Sequence, residues 1–203
     1  RRAFWTEDLQ FYTRGVAVKT YTYYLAQGSA AFSSCSTLAL GAWLLPESWV
    51  TLDQEAMRQS AEILLGFHDF LPLSSVPAEE GRGTTCREIV AIAVEQPEHV
   101  NLGLLGVCFW RAGMLPTEEC PSCSTSEASG SKMTSELQLT RIRVTGKGFL
   151  KHMVRRIVGL LVEVGLGTRP PWRHFEAPLE RPPKAPAHGL WLEKVEIDET
   201  ERG

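Results

Sequence analysis

Apolar side chains in the second half of the chain return at Leu150, Met153, Val154, Ile157, Leu161 and Val164. Stepped at about 100° per residue, these six fall within roughly 60° of one direction, which predicts a helix whose apolar stripe faces a core. Gly159 falls off that stripe, where a missing side chain lets another backbone or a ligand come close. Lys151 and Arg155 share one flank, and His152 and Arg156 share the other. Cations at a helix start oppose the macrodipole, which favours anions there. A bound phosphate, held by the first amides and these side chains together, would resolve that conflict.

VAVKTYTYYLAQG, residues 16–28, is rich in β-branched and aromatic residues and reads as a strand with Lys19, Tyr21 and Tyr23 on one face. The stretch from there to about residue 50, with Trp43 and Trp49, reads as a loop. TLDQEAMRQSAEILLG then predicts a helix: Thr51 and Gln54 form a capping pattern, Met57, Ala61, Leu64 and Leu65 recur at helical spacing, and Gly66 is the stop. TTCREIVAIAVEQ has apolar residues in both phases of the alternation and predicts a strand buried on both faces. An apolar run at 102–110 follows without a clear assignment. LQLTRIRV, residues 137–144, predicts a strand, and the shift of apolar phase between Leu139 and Ile142 marks a bulge. After a proline-rich segment, LWLEKVEI predicts a closing strand. This order predicts one α+β domain over residues 1–203, a largely antiparallel sheet flanked by helices. Residues 116–135, dominated by Ser, Thr, Glu and Pro, form a low-complexity insertion within it.

A formal net charge of −3 excludes a globally basic nucleic-acid binder, so any such surface must be local. It is concentrated between Arg141 and Arg156, where Arg141, Arg143, Lys147, Lys151, Arg155 and Arg156 occur without one acidic residue. The longest apolar segment, near 157–166, contains Glu163 and is too short to span a bilayer, so no membrane association is expected. Five cysteines, an odd number in a core-rich chain, point to a reducing intracellular compartment without saying which. Cys120 and Cys123 have the spacing of half a zinc site, but no second pair completes it, and no metal is expected. Neither a G-x-S-x-G nucleophile nor a glycine-rich phosphate loop is present. What spacing alone offers is a basic helix start near a strand of exposed aromatics, which suits RNA better than a small molecule.

The stretch GFLKHMVRRIVGLLVEVGLG, residues 148–167, resembles the F-L-x-H-M-V-R-N-I-V-G-x-L-x-x-V-G-x-G signature of the TruA family of tRNA pseudouridine synthases. FYTRGVAVKTYTYYL is similar to that family's F-H-A-R strand, LLGFHDF to its L-L-G-x-H-D-F helix end, and APAHGLWLEKVEI to its closing strand. The motifs occur in family order over residues 11 to 197.

The resemblance implies a pseudouridine synthase that isomerises uridine in RNA, in the anticodon arm of tRNA, with no cofactor and commonly as a homodimer. It places the tyrosine that packs on the target uracil at Tyr21 and the arginine that pairs with the catalytic aspartate at Arg155; these are the candidate catalytic residues. Leu190 falls on a pocket-lining leucine, and Arg14, Lys151 and His152 are candidate contacts to RNA. The guanidinium of Arg155 and the ring of Tyr21 are then expected to converge on one pocket that admits a nucleobase. The family's G-R-T-D-x-G-V-H-A motif, which carries the nucleophile, is absent, so the chain is expected to be the C-terminal half and inactive alone. Tyr12, Thr13 and Arg156 depart from the family's His, Ala and Asn. The alternative is a non-catalytic RNA-binding module, a ribonucleoprotein scaffold with the same fold.

Overall fold

The computed structural model describes residues 16–28, 41–46, 49, 51–77, 85–101, 136–172, 175 and 180–197. Strand β1, Val16–Gly28, lies at the centre of a seven-stranded sheet. Its long run of β-branched and aromatic residues suits a pleated surface packed from both sides. On one edge it pairs antiparallel with β6, Glu136–Gly146, from Lys19 against Gly146 to Gly28 against Leu137 without a break. On the other edge it pairs with the closing strand β7, Leu190–Ile197, and with a short strand β2, Trp43–Leu44, the one parallel partner. Beyond β6 come β4, Cys86–Val94, and β3, Gly66–Asp69, while β5, Glu98–Asn101, pairs with the far end of β6. The α+β architecture with a largely antiparallel sheet is therefore as the pattern predicts.

Two helices, α1, Gln54–Glu62, and α2, Met153–Gly165, cover the face of the sheet that carries Tyr23, Leu25, Ile142 and Val144. The opposite face presents Thr20, Thr22 and Tyr24 of β1 and Arg141 and Arg143 of β6. The expected bulge in β6 is absent, because its register against β1 is continuous. The phase shift has another cause. Thr140 occupies a core position, 1% exposed, where its hydroxyl accepts from Gln54 Nε2 at 3.2 Å, and Leu139 packs on the other face with Ala26 and Ala42. The irregularities fall in β4, where Val90 is the extra residue between Ile89 and Ala91, in β7, where Glu193 is, and at the start of β1, where Ala17 is the extra residue against β7.

Strand β4 is also not buried on both faces: Ile89 and Val94 are in the core, but Val90 is half exposed and Ala91 and Ala93 are exposed. Helix α1 is capped by Asp53 rather than Thr51, since Ala56 N donates to Asp53 Oδ1 at 2.9 Å. It ends at Glu62, and Gly66, at φ 94°, opens β3, so the segment read as a helix end is a strand. Helix α2 begins at Met153, which leaves Leu150, Lys151 and His152 in the preceding turn, so Lys151 and Arg155 are not a helical pair. The insertion at 116–135, the apolar run at 102–110 and both of Cys120 and Cys123 lie outside the described residues. No described helix is long and apolar enough to cross a membrane.

Burial of α2 extends well past one stripe: Val158, Gly159, Leu160 and Val162 are buried along with Ile157 and Leu161. The outer side is covered by a proline-rich segment whose Pro183 carbonyl sits where a Cβ on Gly159 would be. Gly159 is thus the close-approach position that its place off the stripe suggested. Alanine at Gly159 gains about 1 kcal/mol of helix propensity, but it must displace a backbone carbonyl, an overpacking cost of about 3 kcal/mol. Urea denaturation should show Gly159→Ala less stable by about 2 kcal/mol. Gly167→Ala, at φ 69° with nothing within 4 Å, should lose only about 1 kcal/mol to backbone strain. Equal losses at the two sites would mean that the covering segment yields freely.

Candidate active site

The segment from Pro182 to Gly189 runs as a strap over the start of α2 and down to β7. Prolines at 182, 183 and 186 fix φ and reduce the entropy lost on ordering it. Ala185 is held in both directions: its N–H donates to Arg155 O at 3.1 Å, and its carbonyl accepts from Arg155 Nε at 2.6 Å. Arg156 Nη1 donates to Pro182 O at 2.5 Å, while its Nε and Nη2 reach Ser75 Oγ, each at 3.3 Å. From the sheet, Tyr23 donates its hydroxyl to Pro186 O at 2.7 Å. Gly189 then passes so near the same ring that a Cβ would lie 2.7 Å from Tyr23 Cζ. One short segment therefore fastens Tyr23, Arg155 and Arg156 to a common frame.

Tyr23 is fully buried, and burial pushes its phenol well above its ordinary pKa, offset only in part by the Arg155 charge nearby. It is a structural residue, so the strand does not present a row of exposed aromatics. Tyr21, one turn of the pleat away on the same face, is only partly buried. Its ring meets Phe149 edge-on with centroids 5.2 Å apart. Tyr21 pairs across the sheet with Val144 and Leu192, and Leu190 pairs with Tyr23 and packs partly buried against the core. The fold thus brings Arg155 and Leu190 to Tyr23 and sets Tyr21 next along the same strand face. Arg14 lies outside the described residues. A cavity of about 440 Å³ lies elsewhere, between Thr51–Ala56 and the far end of α2 at Val164–Gly167. At 1.5 Å per residue that is about 15 Å along the helix from Arg155.

The run of cations between 141 and 156 is not one surface. Alternation along β6 sends Arg141 and Arg143 to the sheet face away from the helices, where both meet Glu95 at 2.8 Å and Arg143 also meets Glu193 at 3.0 Å. Thr22 donates its hydroxyl to Glu193, and with Arg143 holds that carboxyl below its ordinary range. Lys147 pairs with Glu88 at 2.8 Å, and Arg156 is spent on the strap. Lys151, His152, Arg155 and Lys184 remain together at the start of α2, and among the described residues none of them forms an ion pair. His152 stands at φ 61° with no side-chain cap bond, and its Nδ1 is buried without a partner among the described residues. Desolvation and the charges of Lys184, Arg155, Lys151 and Arg156 lower its pKa below the ordinary histidine value.

Sequence reasoning missed Lys184, Phe149 and the clamp made by Arg156. The signal for the strap was the P-P-K-A-P run, whose stiffness suits a segment that must lie flat against a helix.

The profile of the family described as tRNA pseudouridine synthase matches residues 60–198. The tRNA pseudouridine synthase A of Myxococcus xanthus is 34% identical over 154 residues, 73% of this chain and 43% of its own length. Those of Nitratidesulfovibrio vulgaris (strain DSM 19637 / Miyazaki F) and Thermosipho africanus are 31% and 32% identical, over 75% and 71% of this chain and 53% and 44% of their own lengths. The chain thus spans about half the length of the curated relatives it matches.

Below about pH 10 the phenol of Tyr23 is protonated in folded and unfolded chains alike. Above that pH the unfolded chain releases the proton first, so stability should fall as pH rises, by up to about 1.4 kcal/mol per unit from this group. Tyr23→Phe should cost about 1 kcal/mol at neutral pH by leaving Pro186 O without its donor. It should also flatten the alkaline fall in urea stability by close to one proton. An unchanged alkaline slope would contradict the assigned environment of Tyr23.

Proposed function

The chain belongs to the TruA family of tRNA pseudouridine synthases, and from that premise we propose that it contributes Tyr21, Arg155 and Leu190 to a uridine isomerase acting on RNA. The observation that carries this reading is the shared strap: Arg155, on a helix, and Tyr23 and Leu190, on neighbouring strands, are tied to one segment beside Tyr21.

In the reaction the uridine is turned out of its stack into the space in front of Tyr21. The C1′–N1 glycosidic bond breaks with the help of a carboxylate outside this chain, and the freed uracil turns. A C1′–C5 bond forms, the C5 proton leaves, and N1 gains a proton, so the product is an isomer and no cofactor is consumed. Tyr21, with its ring steadied by Phe149, packs on the uracil and is placed to handle the C5 proton. Arg155, whose Nε is fixed on Ala185 O, offers its remaining N–H groups to the carboxylate and the everted nucleotide. Leu190 supplies an apolar wall, while Lys151, His152 and Arg14 contact the phosphates of the RNA, with tRNA as the substrate. A homodimer is the quaternary state the resemblance implies, and equilibrium sedimentation of the protein measures it.

The decisive assay takes the longest reading frame containing this chain and follows pseudouridine formation in an anticodon-arm RNA. Arg155→Ala and Tyr21→Phe should each lower turnover by on the order of a thousandfold while leaving RNA affinity within about threefold. Turnover at the parent rate would remove the residue concerned from the chemistry. A parent that binds the RNA without turning it over, and loses affinity in Arg155→Ala, would favour a module that only holds RNA.

A further inference from the structure

The charge of His152 answers to its surroundings. Four cations face it: Lys151, Arg155 and Arg156 from its own segment, and Lys184 from the strap packed against it. No carboxylate is among them. The imidazole is held by a left-handed backbone, which a non-glycine residue adopts at a cost, and its Nδ1 is buried without a partner among the described residues. A histidine set among cations that no described carboxylate compensates marks a place prepared for an acceptor that carries negative charge. Lys151 and Lys184 are both exposed, so such an acceptor can reach them from solvent.

We propose that Lys151, His152 and Lys184 form a seat for one phosphate of the bound RNA, and that filling it is coupled to uptake of one proton by His152. The inference rests on RNA being the substrate and adds to it a residue, Lys184, and a linkage. In the empty protein desolvation and the neighbouring cations hold the imidazole's pKa below its ordinary value. A phosphate between the two lysines cancels their field, so the imidazole gains a proton and donates to the phosphate oxygen. The histidine pKa is therefore higher in the complex than in the free protein. Affinity must rise as pH falls through the bound value and level off below the free one.

The test uses the full chain and a fluorescently labelled anticodon stem-loop RNA, with Kd measured by anisotropy from about pH 8 to about pH 5.5 at fixed salt. The parent protein should bind about tenfold more tightly at the acid end, the change that one unit of pKa shift produces. His152→Gln should lose the acid gain and stay flat as pH falls, whatever its affinity at about pH 8. Lys184→Gln should weaken binding throughout, reduce the salt slope of log K by about 0.7, and move the onset of the acid gain to higher pH. A parent pH slope retained in His152→Gln would overturn the proposal while leaving RNA binding in place. Failure of every form to bind RNA would overturn it together with the functional reading. If His152→Gln does not fold, the His152 imidazole resonance of the parent, titrated with and without the RNA, decides instead. A shift of its midpoint upward by about one unit supports the coupling, and an unmoved midpoint refutes it.

Discussion

The carbonyl of Pro183 pressed against the bare Cα of Gly159 is the contact on which the site depends. It allows the strap to lie close enough to α2 for Arg155 and Arg156 to reach its backbone with bonds of 2.5 to 2.6 Å. It also brings Pro186 within reach of the Tyr23 hydroxyl. A side chain at 159 would lift the strap, and the arginines would lose the acceptors that fix their direction. Rigid placement of a guanidinium matters in catalysis because orientation settled in advance need not be established as the reaction proceeds.

The sheet supplies the other half of that placement. Ten consecutive register positions between β1 and β6 make Tyr21 and Tyr23 immovable relative to Val144 and Ile142. Two tyrosines two residues apart on one face then meet different fates: Gly189 and Pro186 close over Tyr23, whereas Tyr21 meets Phe149 edge-on and stays only partly buried. The difference arises from the strap, which crosses the sheet at one of the two positions and not at the other.

Much of this was legible in the sequence because hydrophobic period is set by burial: β1 and β7 lie where the strand residues place them, and both helices form within the runs of 3.6-residue repeat, though shorter than those runs. Gly159 was readable for the same reason, as an apolar-helix position where a side chain is missing. Thr140 misled because a hydroxyl in the core needs one partner, Gln54, that only the fold can supply. Gly66 misled because a glycine with positive φ serves a strand entry as well as a helix stop. The apolar residues of β4 did not announce that one of its faces would stay uncovered. The cationic run divides in the fold because alternation along β6 turns Arg141 and Arg143 toward Glu95, just past β4, and Glu193 of β7, neither of which is near them in sequence. Arg155 and Tyr21 were found by family resemblance, whereas Lys184 and the Arg156 clamp required coordinates.

The neutralised arginines on the far face of the sheet have an effect beyond their own neighbourhood. Glu95 and Glu193 quench Arg141 and Arg143 within bonding distance, so their field is short-ranged, while the cations at the head of α2 remain uncompensated among the described residues. Among the described residues, uncompensated positive charge therefore gathers on the side that carries the strap, and its longer reach would draw an anion toward that side before contact.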